Sequence, residues 1–464
     1  MLKYTRNYTT SRMTMIELLK YAVAATLLLG SSAFAVPPAG EKQFGYSLEQ
    51  AVNTALENNP NLQIMHERIA QAQAQLGEAL AVFYPQIQTR LSYEHTDNPS
   101  RAFSMIISQR RLDLNGMDFN HPGGTDDYRP EITASYSLYN GGQDYQKSKA
   151  AELGVTAASL QESAARNQLI EWVTSMFYGV LAAREAHKIA EHSITAVQSE
   201  LDQTRKRFDA GTVLKSDVLS LEVQLAETQD TAIQAASAVE LAESELKTLL
   251  GTGEAVTIAE APSWQIPQKK QAFAALLDQA MAQRPEIRAA NTQVEIAEHQ
   301  LKAAWGAHLP KADAYLSYGS DSKNLDYSTN RDNVTAGVTV SVDIFSGFAT
   351  TERIKKAQSA LSIAKLSVRQ AQLAIEDELK SAYLKLRNAL DRLAVTEASV
   401  TSAEEALRLV NEQRIAGTET VTRYIETEVA RDKAQSRAVA ARYDALRAEA
   451  AVNKALGLWS KEPL

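Results

Sequence analysis

Residues 142–208 read GQDYQKSKAAELGVTAASLQESAARNQLIEWVTSMFYGVLAAREAHKIAEHSITAVQSELDQTRKRF. This stretch has no proline and is rich in Ala, Leu, Glu, Gln, Lys and Arg, which lose least in a helix interior. Apolar residues recur at three- and four-residue spacing through its second half, as in a coiled coil. A single helix of this length would extend for about 100 Å at about 1.5 Å per residue. No compact core needs such a rod, so the stretch predicts a scaffold or the wall of a tube.

The chain repeats itself, which becomes visible when the sequence is aligned with itself. At an offset of 225 residues, Pro60 and Pro85 fall on Pro285 and Pro310. Further along, at an offset of 206 residues, an Ala-Gly-Thr triplet falls on a second Ala-Gly-Thr triplet. This register indicates an internal duplication. The change of 19 between the two offsets predicts a longer loop after the first strand of the first copy.

The duplication sets the predicted domain boundaries. The segments are a signal peptide at 1–35, a first repeat at 36–251, a linker at 252–272, a second repeat at 273–457 and a tail at 458–464. Each repeat has the same predicted order: a short helix, a helix that begins at a proline, two strands, the long helix, a glycine turn and a second helix. Proline fits the first position of a helix because its missing N–H needs no partner there.

The lengths of the predicted helices suggest how each repeat is packed. The long helix has about 67 residues and its hairpin partner about 38, which leaves about 40 Å of the long helix uncovered. The helix that begins at the proline can fill this length. Each repeat is then predicted to be a long helix beside two shorter helices stacked end to end. Helix patterning alone also fits an ordinary helical bundle.

Four segments alternate between apolar and polar residues with a period of two: 87–93, 132–138, 312–318 and 334–344. Their polar faces include Arg90, Asp313 and Asp343. This pattern fits an outer membrane β-barrel with lipid outside and a water-filled lumen, which these three residues would face. Any single strand also fits a soluble sheet that packs on a core. Lipid does not tolerate open sheet edges and single-chain barrels begin at about 8 strands, so four strands require two, three or four chains.

The N-terminal residues predict export. A basic segment precedes an apolar run that ends at Gly30, and Ala33 and Ala35 form a small-residue cleavage pattern. The apolar run is shorter than the roughly 20 residues that a membrane-spanning helix needs. The chain has no cysteine. We therefore expect no disulfide, no thiolate metal site and no lipidated cysteine.

Several classes of function find no support in the sequence. The formal net charge is −8 and no basic run is present, which argues against binding to nucleic acid. The seven histidines are scattered, and no nucleotide-binding loop, nucleophile motif or zinc motif occurs. We therefore expect neither an enzyme nor a cofactor. The segment after Tyr93 mixes aspartates with arginines, and we interpret it as a solvated extracellular loop rather than a metal site.

The ordered set of motifs resembles the TolC-type outer membrane efflux proteins (outer membrane factors) over essentially the whole mature length. The matching segments are Leu138-Tyr-Asn-Gly-Gly142 with its echo Ile344-Phe-Ser-Gly347, the turns Arg207-Phe-Asp-Ala-Gly-Thr212 and Arg414-Ile-Ala-Gly-Thr418, and the closing Leu249-Leu-Gly251 and Ala455-Leu-Gly457. The resemblance implies a mainly α-helical protein with membrane β-strands. A homotrimer would share one 12-stranded barrel and continue into a periplasmic coiled-coil barrel.

The resemblance also implies partners. The hairpin tips, with Gly211, Thr212, Gly417 and Thr418, would contact a periplasmic adaptor (membrane fusion) protein. An inner-membrane pump of the RND or ABC type would lie below the adaptor. The chain itself would reside in the bacterial outer membrane, surrounded by its lipid.

In this family the tunnel closes at the tip through an Arg–Asp–Tyr lock and rings of carboxylates. Asp217, six residues past the first tip glycine, matches the family aspartate. In the second repeat Glu419 and Arg423 stand where the family often has an arginine and a carboxylate, so charges are partly exchanged. We hypothesise that Asp217 pairs with Arg423 or Arg414 and that Glu426 supplies the narrowing ring.

The sequence therefore predicts an outer membrane channel of a tripartite efflux system, a passive exit duct for small molecules such as drugs, toxic compounds or metals. One alternative is the outer membrane component of a type I protein secretion system. An alternative of another class is a periplasmic coiled-coil scaffold without a pore.

Overall fold

The computed structural model describes residues 45–113, 115, 118, 120–253, 257–259 and 272–459. The predicted signal peptide, with its cleavage residues Ala33 and Ala35, lies outside the described residues. The same holds for most of the predicted linker at 252–272 and of the tail at 458–464.

The elements of the first repeat are α1 (Leu48–Asn58), α2 (Pro60–Leu80), β1 (Gln86–Thr96), α3 (Pro99–Ser108), β2 (Thr125–Asn140), α4 (Gln143–Asp209) and α5 (Lys215–Leu250). Those of the second repeat are α6 (Phe273–Gln283), α7 (Pro285–Gly306), β3 (Lys311–Ser320), β4 (Asp332–Ser341), α8 (Ala349–Ile415) and α9 (Val421–Leu456).

The two repeats have matching helices. The long helices α4 and α8 both contain 67 residues, and their hairpin partners α5 and α9 both contain 36. The helix predicted at 142–208 is therefore observed one residue further along at both ends. The predicted fold class, mainly helical with four strands, is confirmed.

The prolines begin the helices as predicted. Pro60 is the first residue of α2, and the side chain of Asn59 before it accepts a hydrogen bond from the backbone N–H of Asn61. Pro285 is likewise the first residue of α7. A proline after a capping residue removes a donor that would otherwise be unpaired and sets the backbone for the first turn.

Each long helix lies beside two shorter helices, as predicted. Helices α5 and α2 both pack along α4, and helices α9 and α7 both pack along α8. In the first repeat the Asn59 amide donates a 2.8 Å hydrogen bond to the carbonyl of Leu249. In the second repeat the Arg284 guanidinium donates to the carbonyl of Ala455 at 3.2 Å. These bonds join the end of one short helix to the start of the other, so the stack is physically linked.

Two apolar clusters surround these junctions. The first combines residues of α1, α4, α5 and α9, with Phe177 and Leu246 fully buried. The second combines α6, α8 and α9, with Leu379 and Val452 fully buried. Helix α9 contributes to both clusters and thereby holds the two repeats together. Its seam is mainly alanine, which lets neighbouring helices approach closely.

The four strands form one antiparallel sheet in the order β1-β2-β3-β4. Pairing of β2 with β3 joins the two repeats, and β1 and β4 are the edges of the sheet. β4 ends at Ser341, which pairs with the first residue of β3, Lys311. The alternating segment predicted at 334–344 therefore extends past the end of its partner strand.

The segment after Tyr93 is not simply a solvated loop, and this part of the prediction is wrong. It contains α3, capped by Asn98, with Ala102 and Ile106 buried. β2 begins at Thr125, earlier than predicted, because it pairs with β1 along the full length of β1 up to Thr96. Within the described ranges, no helix is both long enough and apolar enough to cross a membrane.

At the junction where α5 meets α2, the structure predicts that only glycine is tolerated at position 251. This residue has a φ of 68°, and a Cβ added to it would lie 2.5 Å from the carbonyl oxygen of Asn58. We expect Gly251→Ala to lower the apparent free energy of unfolding by about 1–2 kcal/mol or more, because a left-handed backbone disfavours a Cβ. Urea unfolding followed by circular dichroism measures this change.

Gly253→Ala is the matched control, because Gly253 lies two residues away in open space. It should unfold as the unmodified chain does. Equal urea midpoints for the two variants would contradict the proposed role of the junction.

Candidate functional site

The sheet exposes one apolar face. Large apolar side chains on this face are exposed in the described chain: Ile87, Leu91, Ile132, Leu138, Leu316, Val334, Val338 and Val340. These residues alternate along their strands, so they share one side of the sheet. A soluble sheet would pack such a face on a core of its own chain. Among the described residues that core is missing, which disfavours the soluble sheet.

The opposite face is polar and carries two of the predicted lumen residues, Arg90 and Asp313; the third, Asp343, lies two residues beyond the end of β4. Arg90, Asp313 and Asp343 are all exposed. Arg90 is directly across from Glu131 in the pairing of β1 with β2, and the Lys311 ammonium lies 3.5 Å from the Asp343 carboxylate. Charges of both signs therefore line this face of the sheet.

Aromatic side chains gather where the sheet meets the long helices. Phe83, Tyr84 and Tyr139 are exposed there, as are Phe345 and Phe348. The rings of Phe345 and Phe348 contact each other edge to face, with centroids 5.3 Å apart. Aromatic residues in such a position are typical of the interface between lipid and water.

The two hairpin tips are built alike, as the sequence predicted. Gly211 and Gly417 adopt left-handed backbones with φ of 73° and 81°. Thr212 donates both its N–H and its hydroxyl to the carbonyl of Arg207, each at 2.9 Å. Thr418 makes the same two bonds to the carbonyl of Gln413. Each threonine thus caps the long helix that precedes it, which gives it a structural role in addition to any contact with a partner.

The predicted gate residues are divided between surface and interior. Glu419 and Asp217 are half-buried, and Asp217 accepts a hydrogen bond from the N–H of Leu214 at the start of α5. Arg423 and Glu426 are exposed and form a 3.2 Å ion pair along α9. Arg414 alone is buried.

The predicted pairing of Asp217 with Arg414 does not occur within the described chain. Arg414 instead donates a 2.5 Å hydrogen bond to Glu200 of α4, and the side chains of both residues are at most 4% exposed. The Thr204 hydroxyl donates to the same Glu200 oxygen, and the Arg414 guanidinium lies over the ring of Tyr424. Helices α4 and α8, one from each repeat, are therefore joined by a buried ion pair near the tip.

Further charged groups on α9 lie beside this pair, and sequence reasoning missed them. The Arg431 guanidinium bonds Glu428 at 2.5 Å and Asp432 at 2.7 Å, and the Ser193 hydroxyl of α4 donates to Asp432 at 2.6 Å. We call Glu200, Arg414, Glu428, Arg431 and Asp432 together the buried charge layer, of which the first three are buried and the last two are half-buried. The signal in the sequence that could have indicated these residues is a run of charges that interrupts the small residues of α9.

Burial perturbs two groups of this layer and its surroundings. Burial raises the pKa of Glu428 to about 7, with Arg431 opposing and Asp432 adding to the effect. Burial also raises the pKa of Tyr424 to about 12, and the carboxylates of Glu428 and Glu200 act in the same direction. Tyr424 therefore stays neutral at physiological pH.

Comparison with known proteins agrees with this geometry. The family model described as "Outer membrane efflux protein" matches residues 51–252 and 276–458. The chain belongs to the outer membrane efflux protein family. The alkaline protease secretion protein AprF of Pseudomonas aeruginosa is 24% identical over 94% of this chain and 88% of its own length. The outer membrane efflux protein BepC of Brucella suis is 25% identical over 73% of this chain and 79% of its own length.

The chain fold is also that of a solved family structure. The outer membrane channel CmeC of Campylobacter jejuni superposes with a TM-score of 0.76, over 91% of this chain and 90% of that one, at 17% identity. The match of the family model in two segments agrees with the internal duplication.

The buried ion pair of this outer membrane efflux protein predicts an asymmetry between two arginines of α8. Arg414→Met leaves the buried Glu200 without its partner, so we expect the apparent free energy of unfolding to fall by about 3–5 kcal/mol. Arg408→Met is the control, because Arg408 pairs with Glu405 and Glu412 on the exposed surface of the same helix. Its effect should stay within about 1 kcal/mol. Urea unfolding of both variants measures the difference.

A double variant tests the origin of this effect. Replacing Glu200 and Arg414 together by Leu and Met removes both charges, and should recover most of the loss, because no buried charge is left unpaired. Equal losses for Arg414→Met and Arg408→Met would show that the pair does not stabilise the tip.

Proposed function

We propose that this protein is the outer membrane channel of a tripartite efflux system and acts as a passive exit duct for small molecules. The observation that carries this proposal is the four-stranded sheet, which has an exposed apolar face, a polar opposite face and two edges that no other described part of the chain pairs with. A sheet of this kind is stable in lipid only if further copies pair with its edges and close a barrel. The long helices continue from the same strands as a duct on the periplasmic side.

The proposed assembly is a homotrimer with one 12-stranded barrel. The number three rests on the resemblance to TolC-type proteins, since the edges of one sheet would accept other numbers of copies. In the trimer Arg90, Asp313 and Asp343 would face the water-filled lumen. The exposed apolar face would contact outer membrane lipid.

Energy for transport would come from partners. We propose that a periplasmic adaptor binds the tips at Gly211, Thr212, Gly417 and Thr418, and that an inner-membrane pump of the RND or ABC type drives the cargo. Asp217, Glu419, Arg423 and Glu426 lie at or near the surface of the same tips. There they are available for contacts between neighbouring copies, and Glu426 would supply the narrowing carboxylate ring. The Glu200–Arg414 pair would hold the two hairpins of one chain together in the closed state.

A second candidate is the outer membrane component of a type I protein secretion system. The similarity to AprF, which is described as an alkaline protease secretion protein and covers nearly the whole chain, favours it. Deleting the gene and measuring both drug susceptibility and secreted protein discriminates the two cargo classes. A periplasmic scaffold without a pore is disfavoured, because it would leave the apolar face of the sheet in water.

If the Glu200–Arg414 pair helps to close the tip, its removal should change the conductance of the channel. In planar bilayers we expect the detergent-extracted protein to show small openings, and Arg414→Ala to enlarge them several-fold by freeing α8 from α4. Arg408→Ala is the control on the exposed surface of the same helix. The bacterium that carries Arg414→Ala should also become more sensitive to a bulky antibiotic.

Either of two results would count against this function. If neither the unmodified protein nor Arg414→Ala conducts, the pore is excluded and the scaffold is favoured. If Arg414→Ala conducts as Arg408→Ala does, the channel is retained but the role of the buried pair in closing it is wrong.

Adaptor binding can be tested with single cysteines, because the chain has none of its own. We expect Thr212→Cys and Thr418→Cys, labelled with a photoactivatable crosslinker in cells, to capture one periplasmic protein with an adaptor sequence. Gln73→Cys is the control, because Gln73 is exposed on α2, in the half of the duct next to the sheet. Capture of the same protein from all three positions, or from Gln73→Cys alone, would contradict docking at the tips.

A further inference from the structure

The buried charge layer does not balance its charges. It contains two guanidinium groups, Arg414 and Arg431, and three carboxyl groups, Glu200, Glu428 and Asp432. Arg414 pairs with Glu200, so Glu428 and Asp432 share the one remaining guanidinium, that of Arg431. Asp432 is half-buried, whereas the side chain of Glu428 is only 2% exposed. A buried charge without a partner is strongly disfavoured, so such a group takes up a proton instead.

Glu428 is the carboxyl group best placed to hold this proton. Its side chain is 2% exposed, and Oε1 accepts the hydrogen bond from Arg431. Its other oxygen, Oε2, is buried and has no hydrogen-bond partner in the part of the chain that the structure describes. By contrast, the carboxylate of Glu200 receives bonds from Arg414 and Thr204, and that of Asp432 receives bonds from Ser193 and Arg431.

The layer also lies where the two hairpins meet. The bond between Arg414 and Glu200 joins α8 to α4, and the bond between Ser193 and Asp432 joins α4 to α9. Separation of the hairpins at the tip would break both contacts. It would also expose Glu428 to water, because Glu428 lies one helical turn from Tyr424, and Arg414 of α8 covers the ring of Tyr424.

We propose that Glu428 makes the opening of the periplasmic tip depend on pH: its protonated form favours the closed packing of the two hairpins, and its carboxylate favours their separation. This inference rests on the proposed function, because it concerns the regulation of the same gate.

The direction of the effect follows from linkage. In the closed tip the pKa of Glu428 is about 7, and in an open, hydrated tip it should return toward its ordinary value of 4.5. Below the ordinary value the group is protonated in both states, so pH has no effect. Between the two values opening releases the proton, so the ratio of open to closed tips rises with pH, by at most about 300-fold over the whole window. Above about pH 7 the ratio is constant.

Several other charged groups lie on the helices around Glu428. Arg431 and Asp432 of α9 act on Glu428 directly. Tyr424, one turn earlier on α9, lies near Glu428 and also near Glu200 of α4 and Arg414 of α8. Glu227 of α5 lines a groove together with Asp432, Lys433 and Arg437 of α9. Arg431 lowers the pKa of Glu428, so its removal should move the transition to higher pH. A purely structural role of Glu428 would not produce such a shift.

Two measurements test this proposal on the full-length, detergent-extracted assembly from about pH 5 to about pH 8.5. The first is single-channel conductance. The second is hydrogen–deuterium exchange of residues 193–209 and 410–432, which needs no pore, with variants compared at equal pH. We expect opening and exchange to increase with pH in the unmodified protein. Glu428→Gln should stay closed at all pH values, and Arg431→Gln should shift the transition to higher pH.

Asp202→Asn is the matched control, because it removes an exposed carboxylate of α4 two residues from Glu200 and should keep the transition. A transition that persists in Glu428→Gln, or tip exchange in the unmodified protein that does not change relative to Glu428→Gln, would overturn the proposal. If no variant conducts at any pH, the proposed duct fails, while the exchange data still decide whether Glu428 controls the tip.

Discussion

The structure depends on the need to cover a helix of about 100 Å along its whole apolar stripe. The hairpin partner of each long helix reaches only about 54 Å of it, at about 1.5 Å per residue. A second helix must therefore continue where the first one ends. At this junction the carboxyl end of one helix meets the amino end of the next, so the two helix dipoles align head to tail. The tip and the sheet are consequently held at opposite ends of the same long helix.

The two repeats use different side chains to donate hydrogen bonds to the last carbonyls of the helix that ends at the junction. In the first repeat the neutral amide of Asn59 satisfies the carbonyl of Leu249. In the second repeat Arg284 bonds the last carbonyls of α9 and also the carboxylates of Glu286 and Glu378. A cation suits the carboxyl end of a helix, and its acidic neighbours compensate the charge where it is buried. What both repeats share is the requirement that the exposed carbonyls find a donor, which either residue meets.

The sequence predicted those features that depend on local pattern. The long helices, the prolines that begin α2 and α7, and the tip glycines follow from composition and backbone preference, which act within a few residues. The start of β2 was missed because Asp126 and Asp127 are typical of loops. Asp127 is nonetheless buried, and its carboxylate accepts a hydrogen bond from the side-chain amide of Gln109, which lies in the segment between β1 and β2. Burial of a charged strand residue depends on a tertiary partner that no local pattern reveals.

The same limit applied to the gate. Sequence reasoning considered charges within a few residues of the tip glycines, but the partner of Arg414 is separated from it by 214 residues. Glu200 is one of many glutamates on long amphipathic helices, most of which are solvated. Only its tertiary contact with Arg414 of α8 distinguishes it from the others.

The use of charges near the tip has a physical consequence for opening. The apolar cluster closest to the tip is small, with Val197, Leu201 and Leu221 as its main members. Those at the junctions are larger and draw on more helices. Apolar surface that becomes exposed on separation costs about 25 cal/mol per Å², whereas ionised groups that leave a buried pair recover their hydration. A tip held mainly by charge can therefore part at a moderate free energy while the junctions stay closed. The buried charge layer lies at the level of the small cluster, since Glu200 falls between Val197 and Leu201 on α4, and the two large clusters lie further from the tip. In the proposed opening, this arrangement would limit the separation of the hairpins to the tip.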